Sequence, residues 1–336
     1  MAQNKSLQQI KFSILDLVPV REGFGHKAAL QYSVAQAKLA ETLGYTRYWI
    51  AEHHNAASIV SSATPLLIQL VAQHTRTIRV GSGGVMLPNH TPLVVAEQFG
   101  TLATLFPGRI DLGLGRAPGT DAQTVRALRR NKTEAAEDFP RDVQELQFYL
   151  SKRGGESAVR AIPGQGTEVP VYLLGSSTFS AQLAAFLGLP YAFASHFAPT
   201  YLMEAINIYR NNFKPSEQCE QPYVIAGANV VMADTDEEAA YLSTTGNLFA
   251  LDIIRNTRKP LQPPVADMDA IWTSYEAAQV MQMKQYAFIG SPETVQKQLE
   301  QFVAQTGVDE IIFSSYIYDT EKQARSYELL NRIKEK

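Results

Sequence analysis

The chain has 336 residues, 45% of them hydrophobic, with 30 basic and 33 acidic side chains and a net charge of −3. That balance, with no long basic run, argues against a nucleic-acid partner. No stretch approaches the roughly 18 uninterrupted apolar residues of a membrane span, and the single cysteine, Cys219, cannot form an internal disulfide.

The opening "MAQNKSLQQIKFSILDL" lacks the basic-then-apolar order of a secretory signal, so a cytoplasmic location is expected. "KFSILDL" (11–17) reads as the first strand, and residues 26–44 as a helix stopped by Gly44. "RYWIAE" (47–52) is the second strand, followed by a helix over 62–75 with Pro65 in its first turn. The third strand spans 77–87, and its helix (92–108) stops at Pro107-Gly108. "RIDLGLG" (109–115) is the fourth strand, followed by an excursion carrying "TDAQTVRALRRN" (120–131) and the helix "RDVQELQFYLS" (141–151). Strands five, six and seven are expected at 169–176, 191–195 and 223–233, each followed by a helical pattern. The eighth strand is "DEIIFSSYIY" (309–318), ahead of a final helix over 321–336.

Eight strands alternating with helices imply parallel pairing through right-handed crossovers. Eight such units close a (β/α)8 TIM barrel, with a doubly wound open sheet as the alternative. The strands read as near-continuous apolar runs, as expected when both faces are covered. No linker-like break divides the chain, so residues 1–336 are expected to form one domain with insertions. The largest insertion lies between strands seven and eight. Within it, residues 255–285 include Pro260, Pro263 and Pro264 and read as a candidate lid, with surface decoration as the alternative.

In such barrels chemistry sits at the C-terminal ends of the strands. Here strand two ends in Glu52-His53-His54-Asn55, strand four in Gly115-Arg116, strand five in Gly175-Ser176-Ser177, and strand six in Ser195-His196. Successive strand residues face opposite ways, so His53 and His54 are poorly placed to grip one ion. The sequence also has no His-x-His, His-x-x-x-His or cysteine cluster, and no metal is expected, although distant His90 or His196 could contribute to one. Ser176, Ser177 and Ser180 open a helix whose unpaired amides suit an anion. Simple serine capping explains the same residues; Arg116 at the neighbouring strand end shifts the reading towards a phosphate. "GLGRAPG" misses the dinucleotide-binding Gly-x-Gly-x-x-Gly spacing by one residue.

The segments "RYWIAEHHN", "GSGGVMLPNHTPLVVAEQFGTLATLFPGRIDLGLGR" and "LLGSSTFSAQLAAFLGLP" together resemble the bacterial luciferase-like flavin monooxygenase family, particularly its short single-chain members. The resemblance implies a TIM barrel that binds FMN, with reduced FMN as the working form supplied by a separate NAD(P)H:flavin reductase, and that uses O2 on a small organic substrate. By motif, His53 matches the catalytic histidine, and Arg116 matches the arginine on the FMN phosphate. Ser177 and Ser180 match its hydroxyl partners, with Ser176 contributing through its backbone. Gly83 and Gly84 match a pair beneath the flavin ring that often holds a non-proline cis peptide. The family frequently has histidine before the proline that opens helix three; here that position is Thr91, with His90 one residue earlier. A neutral imidazole suits proton handling beside a flavin, and Glu52 and His54 read as supporting residues. Rival readings are an F420-dependent oxidoreductase on the same barrel, a non-catalytic flavin-binding protein, and a metal-dependent barrel hydrolase. Broadly apolar second and third helices suggest a homodimer.

Overall fold

A computed structural model describes residues 5–129 and 137–335; the end of the run 120–131 and Lys336 lie outside them. The first half runs β1 (Lys11–Asp16), α1 (His26–Thr42), β2 (Arg47–Ile50), α2 (Thr64–His74), β3 (Arg79–Met86), α3 (Pro92–Leu105), β4 (Ile110–Gly115), α4 (Ala122–Arg129) and α5 (Phe139–Leu150). Then come β5 (Val171–Gly175), α6 (Thr178–Leu187), β6 (Tyr191–Phe193), α7 (Leu202–Asn212), β7 (Val224–Met232) and α8 (Asp236–Ile254). The chain finishes with α9 (Ser274–Met283), β8 (Ala287–Gly290), α10 (Pro292–Thr306), β9 (Glu310–Ser314) and α11 (Thr320–Glu335).

Strands β1 to β7 pair in parallel in sequence order, and β9 closes the ring between β7 and β1. The result is a closed eight-stranded parallel barrel wrapped by helices, so the open-sheet alternative is excluded. Closure explains the apolar strands. Their outward residues pack under the helices in one continuous core, while Leu15, Trp49, Ala51, Tyr172, Ala192, Ile225 and Ile312 fill the lumen as a separate cluster.

A ninth strand, β8, lies outside the eight expected from the sequence. The cause lies in β7, which is nine residues long. Its first part pairs with β9 through Asn229, and its continuation, Asn229–Met232, would present an unpaired edge. Ala287–Gly290 covers that edge. Of residues 255–285, the proline-rich part crosses the barrel end. Leu261 exchanges backbone hydrogen bonds with Val20 and Glu22 beyond β1 (2.7 and 2.9 Å), and the Arg258 guanidinium donates to the Asn55 carbonyl beyond β2 (2.9 Å). The rest forms α9, opened by a capping box between Thr273 and Glu276.

The lower end of the lumen is ionic. Arg47 donates to both carboxylate oxygens of Glu310 (2.7 and 3.0 Å), to Asp111 (2.7 Å) and to the Tyr172 hydroxyl (2.9 Å). Asp111 also accepts from Arg79 and the Trp49 indole, and Glu310 accepts from Ser13 and Tyr223. These side chains come from the barrel-entry ends of six strands and the residue before β7. Arg47 is 3% exposed, Asp111 and Glu310 0%. Removing one partner of such a buried pair strands the other charge, at a cost of about 3–5 kcal/mol. Arg47→Met is therefore expected to destabilise the chain by about that much in urea unfolding at pH 7. A loss under about 1 kcal/mol would show that the acids find other compensation.

Candidate active site

Period-two alternation orients the second strand. Arg47 and Trp49 both bond Asp111 inside the barrel, and Ala51 packs in the same luminal cluster. Two residues on, His53 continues that side into the C-terminal mouth, held by its amide donating to the Ser61 carbonyl at 3.0 Å. Its Nδ1 is buried without a hydrogen-bond partner. Burial lowers its pKa below the usual histidine value, with Glu52 opposing and His54 adding, so the ring is neutral at pH 7.

Glu52 faces the other way and is 1% exposed. Its carboxylate receives hydrogen bonds from His54 Nε2 (2.8 Å), His90 Nε2 (2.9 Å) and the Met86 amide (3.1 Å). Burial alone would raise its pKa, but the two histidines outweigh that and hold it at about 2. The donor atoms of Glu52, His54 and His90 lie within 4.8 Å of one another, close enough to take a metal ion. The sequence pattern hid this triad, because its third member lies far along the chain beyond β3. The observed hydrogen bonds satisfy the carboxylate and tie the strand-two rim to the turn after β3.

Sequence reasoning left the role of His196 open. It sits beyond β6 with its Nδ1 against β7, where a Cβ added to Gly227 would lie 2.3 Å from that nitrogen. Glycine there admits the ring. The backbone carbonyl of His196 accepts from Asn229 Nδ2 at 2.6 Å. Its Nδ1 is also buried and unpartnered. Burial, with a smaller contribution from neighbouring His53, lowers its pKa to about 4. The mouth thus holds two neutral imidazoles near one another, contributed by opposite sides of the barrel.

The proposed anion site assembles across β4 and β5. The Arg116 guanidinium lies over the Phe179 ring, 4.0 Å from its centroid. No carboxylate pairs with it among the described residues. Phe179 is in the first turn of α6, whose N-cap, Ser177, makes no side-chain capping bond. Ser180 is 3% exposed, with its Oγ packed against the Gly175 backbone; Ser176 and Ser177 are partly buried. Gly83 and Gly84 are joined by a cis peptide where the β3–β4 register shifts. A Cβ on Gly83 would meet Leu15 Cδ1 at 2.6 Å, and one on Gly84 would meet the Gly113 carbonyl at 2.8 Å. Backbone packing by itself therefore requires glycine at 84, while at 83 the Leu15 side chain would have to move aside.

The sequence profile of the luciferase-like monooxygenase family matches residues 10–310. The chain belongs to the luciferase-like monooxygenase family. It is 48% identical to a luciferase-like monooxygenase of Escherichia coli K12, over 97% of each chain. It is 31% identical to the N-acetyl-S-alkylcysteine monooxygenase of Bacillus subtilis 168, over 96% of this chain and 97% of that one. Among solved structures, apo-MsnO8 superposes with a TM-score of 0.91 at 37% identity, covering 97% of this chain and 98% of that one. Two more distant barrels share the fold. One is the FMN-bound oxygenating constituent of 3,6-diketocamphane monooxygenase (TM-score 0.73, 19% identical). The other is an F420-dependent secondary alcohol dehydrogenase (TM-score 0.65, 14% identical).

In this member of the family the neutral His196 makes stability depend on pH. Its folded pKa is about 4, against 6.5 for the unfolded side chain. Below pH 6.5 the unfolded chain takes up a proton that the folded chain refuses until about pH 4, so stability falls with pH across that window. The displacement corresponds to on the order of 3 kcal/mol. In urea unfolding of the apoprotein, the stability lost between pH 7 and pH 4.5 is expected to shrink in His196→Gln. An unchanged loss would remove His196 as its source.

Proposed function

We propose that the chain is an FMN-dependent monooxygenase that uses reduced FMN and O2 on a small organic substrate, with reduced flavin supplied by a separate NAD(P)H:flavin reductase. The observation that carries this reading is the Arg116 guanidinium, without a carboxylate partner among the described residues, beside the uncapped first turn of α6. A fixed cation next to unpaired helix amides fits a phosphate monoester, the group that distinguishes FMN from riboflavin. Ser177 and Ser180 would supply hydroxyls and Ser176 its backbone, with Gly83–Gly84 as the stretch of strand nearest the ring. The family assignment supports an oxygenase role.

Reduced flavin, when bound, supplies the electrons for oxygen activation. The protein's part is to hold the phosphate through Arg116, to keep the mouth dry, and to manage a proton through His53. A neutral imidazole with a buried, unpartnered Nδ1 can accept a proton there and return it. The Glu52–His54–His90 network holds the segment that carries His53. Residues 255–285 act as a lid, pinned by Arg258 to the carbonyl of Asn55. Leu66 on α2 and Val94 and Leu105 on α3 are 66%, 43% and 55% exposed, which supports a homodimer through those helices.

Arg116→Ala is expected to weaken FMN by roughly 10- to 100-fold, the value of a charge-assisted hydrogen bond, while riboflavin changes by less than about threefold. Equal weakening of both ligands would refute the phosphate assignment. Titration with F420 beside FMN separates the two cofactors; tighter binding of F420 would overturn the FMN reading. His53→Ala should keep FMN affinity within a few-fold yet abolish oxygenation by chemically reduced flavin. Undiminished turnover in that variant would remove His53 from the mechanism.

A further inference from the structure

Lys284 stands at the C-terminal cap of α9, on the insertion whose proline-rich part crosses the barrel end. Its Nζ donates to Asn247 Oδ1 on α8 at 2.5 Å. It also lies 3.4 Å from where a Cβ on Gly246 would sit, a point equally close to Tyr316 Cβ. No carboxylate lies within ion-pair distance of this ammonium among the described residues. Burial is the sole cause that lowers its pKa, to about 8. An ammonium has three donors, and here one is used. The side chain is partly buried and turned towards α8 and the end of β9.

Its surroundings lead into the mouth. Tyr316 follows β9 on the luminal side, two residues beyond Ser314, and its ring stacks on Phe249 of α8 with centroids 4.7 Å apart. The Ser314 hydroxyl donates to Asn229 Oδ1 at 3.0 Å, and Asn229 Nδ2 donates to the His196 carbonyl. A chain of side chains therefore runs from the His196 backbone through Asn229 and Ser314 to Tyr316, beside which the ammonium lies. The aromatic pair offers an apolar surface, and the cation stands at its far end.

We propose that Lys284, assisted by Asn247, receives an anionic head group, a carboxylate or sulfonate, on the substrate. The remaining ammonium donors are filled by that group, and the apolar body lies along Phe249 and Tyr316 towards His53 and His196. The proposal rests on the mouth being the flavin and substrate site, and it adds the charge of the molecule that enters.

The test is calorimetric titration of the full chain, with and without FMN, using hexanoate, hexanesulfonate and the uncharged hexanamide as probes. Wild type is expected to bind at least one anion tenfold or more tighter than the amide, about the worth of one charge-assisted hydrogen bond. The tighter anion identifies the head group. Lys284→Met should erase the preference without changing amide or FMN affinity, and Lys284→Arg should restore most of it. Absence of an anion preference in wild type, or its survival in Lys284→Met, would overturn the proposal. FMN titration reads separately: failure of wild type to bind FMN would refute the flavin reading and leave the anion comparison interpretable.

Discussion

Arg47 is the group around which the barrel is organised. Its guanidinium joins acids from β4 and β9, lies beneath the edge-to-face pair of Trp49 and Tyr172, and is sealed from water. An ion cluster of this kind is a poor source of net stability, because desolvation offsets most of the attraction. Its value is specificity of register. A one-residue slip of any contributing strand would turn its member outward and leave a partner charge stranded in the lumen. The strands that contribute are thereby held in one alignment at the entry end.

That alignment determines what reaches the opposite end. Above the ionic layer the lumen is filled by Trp49, Tyr172, Leu15, Ile225 and Ile312, and in barrels of this kind small molecules bind at the C-terminal mouth. The same parity that sends Arg47 and Trp49 inward carries His53 into the mouth. On β7 it carries Gly227 and Asn229 to the place where His196 rests. On β9 it leads from Glu310 through Ser314 to Tyr316. Site geometry is thus inherited strand by strand from the floor, and both imidazoles stay neutral because burial withholds water from them.

Much of the fold was legible. The eight barrel strands lie within a few residues of the apolar runs that announced them, because strands buried on both faces must be apolar almost throughout. β8 was not legible, since Ala287–Gly290 is a short run whose pairing depends on how far β7 overshoots the barrel. Among site residues, alternation set His53 and His54 on opposite sides, and the family resemblance chose His53. The Glu52–His54–His90 triad and the approach of His196 to His53 could not be read in the same way, because nothing local in the sequence ties residues on different strands to one another.

The sequence by itself determined the number and order of the β/α units, the family, and the strand ends where polar groups gather. These are properties of local periodicity and of short motifs. Only the tertiary structure decided which of those groups meet: that Arg116 lies over Phe179, that Glu52 is occupied by two histidines, and that Lys284 reaches Asn247. The physical reason is closure. Bending the sheet into a ring and laying the 255–285 segment across it brings together side chains that lie far apart in sequence. Their desolvation and pairing exist only once the ring is complete.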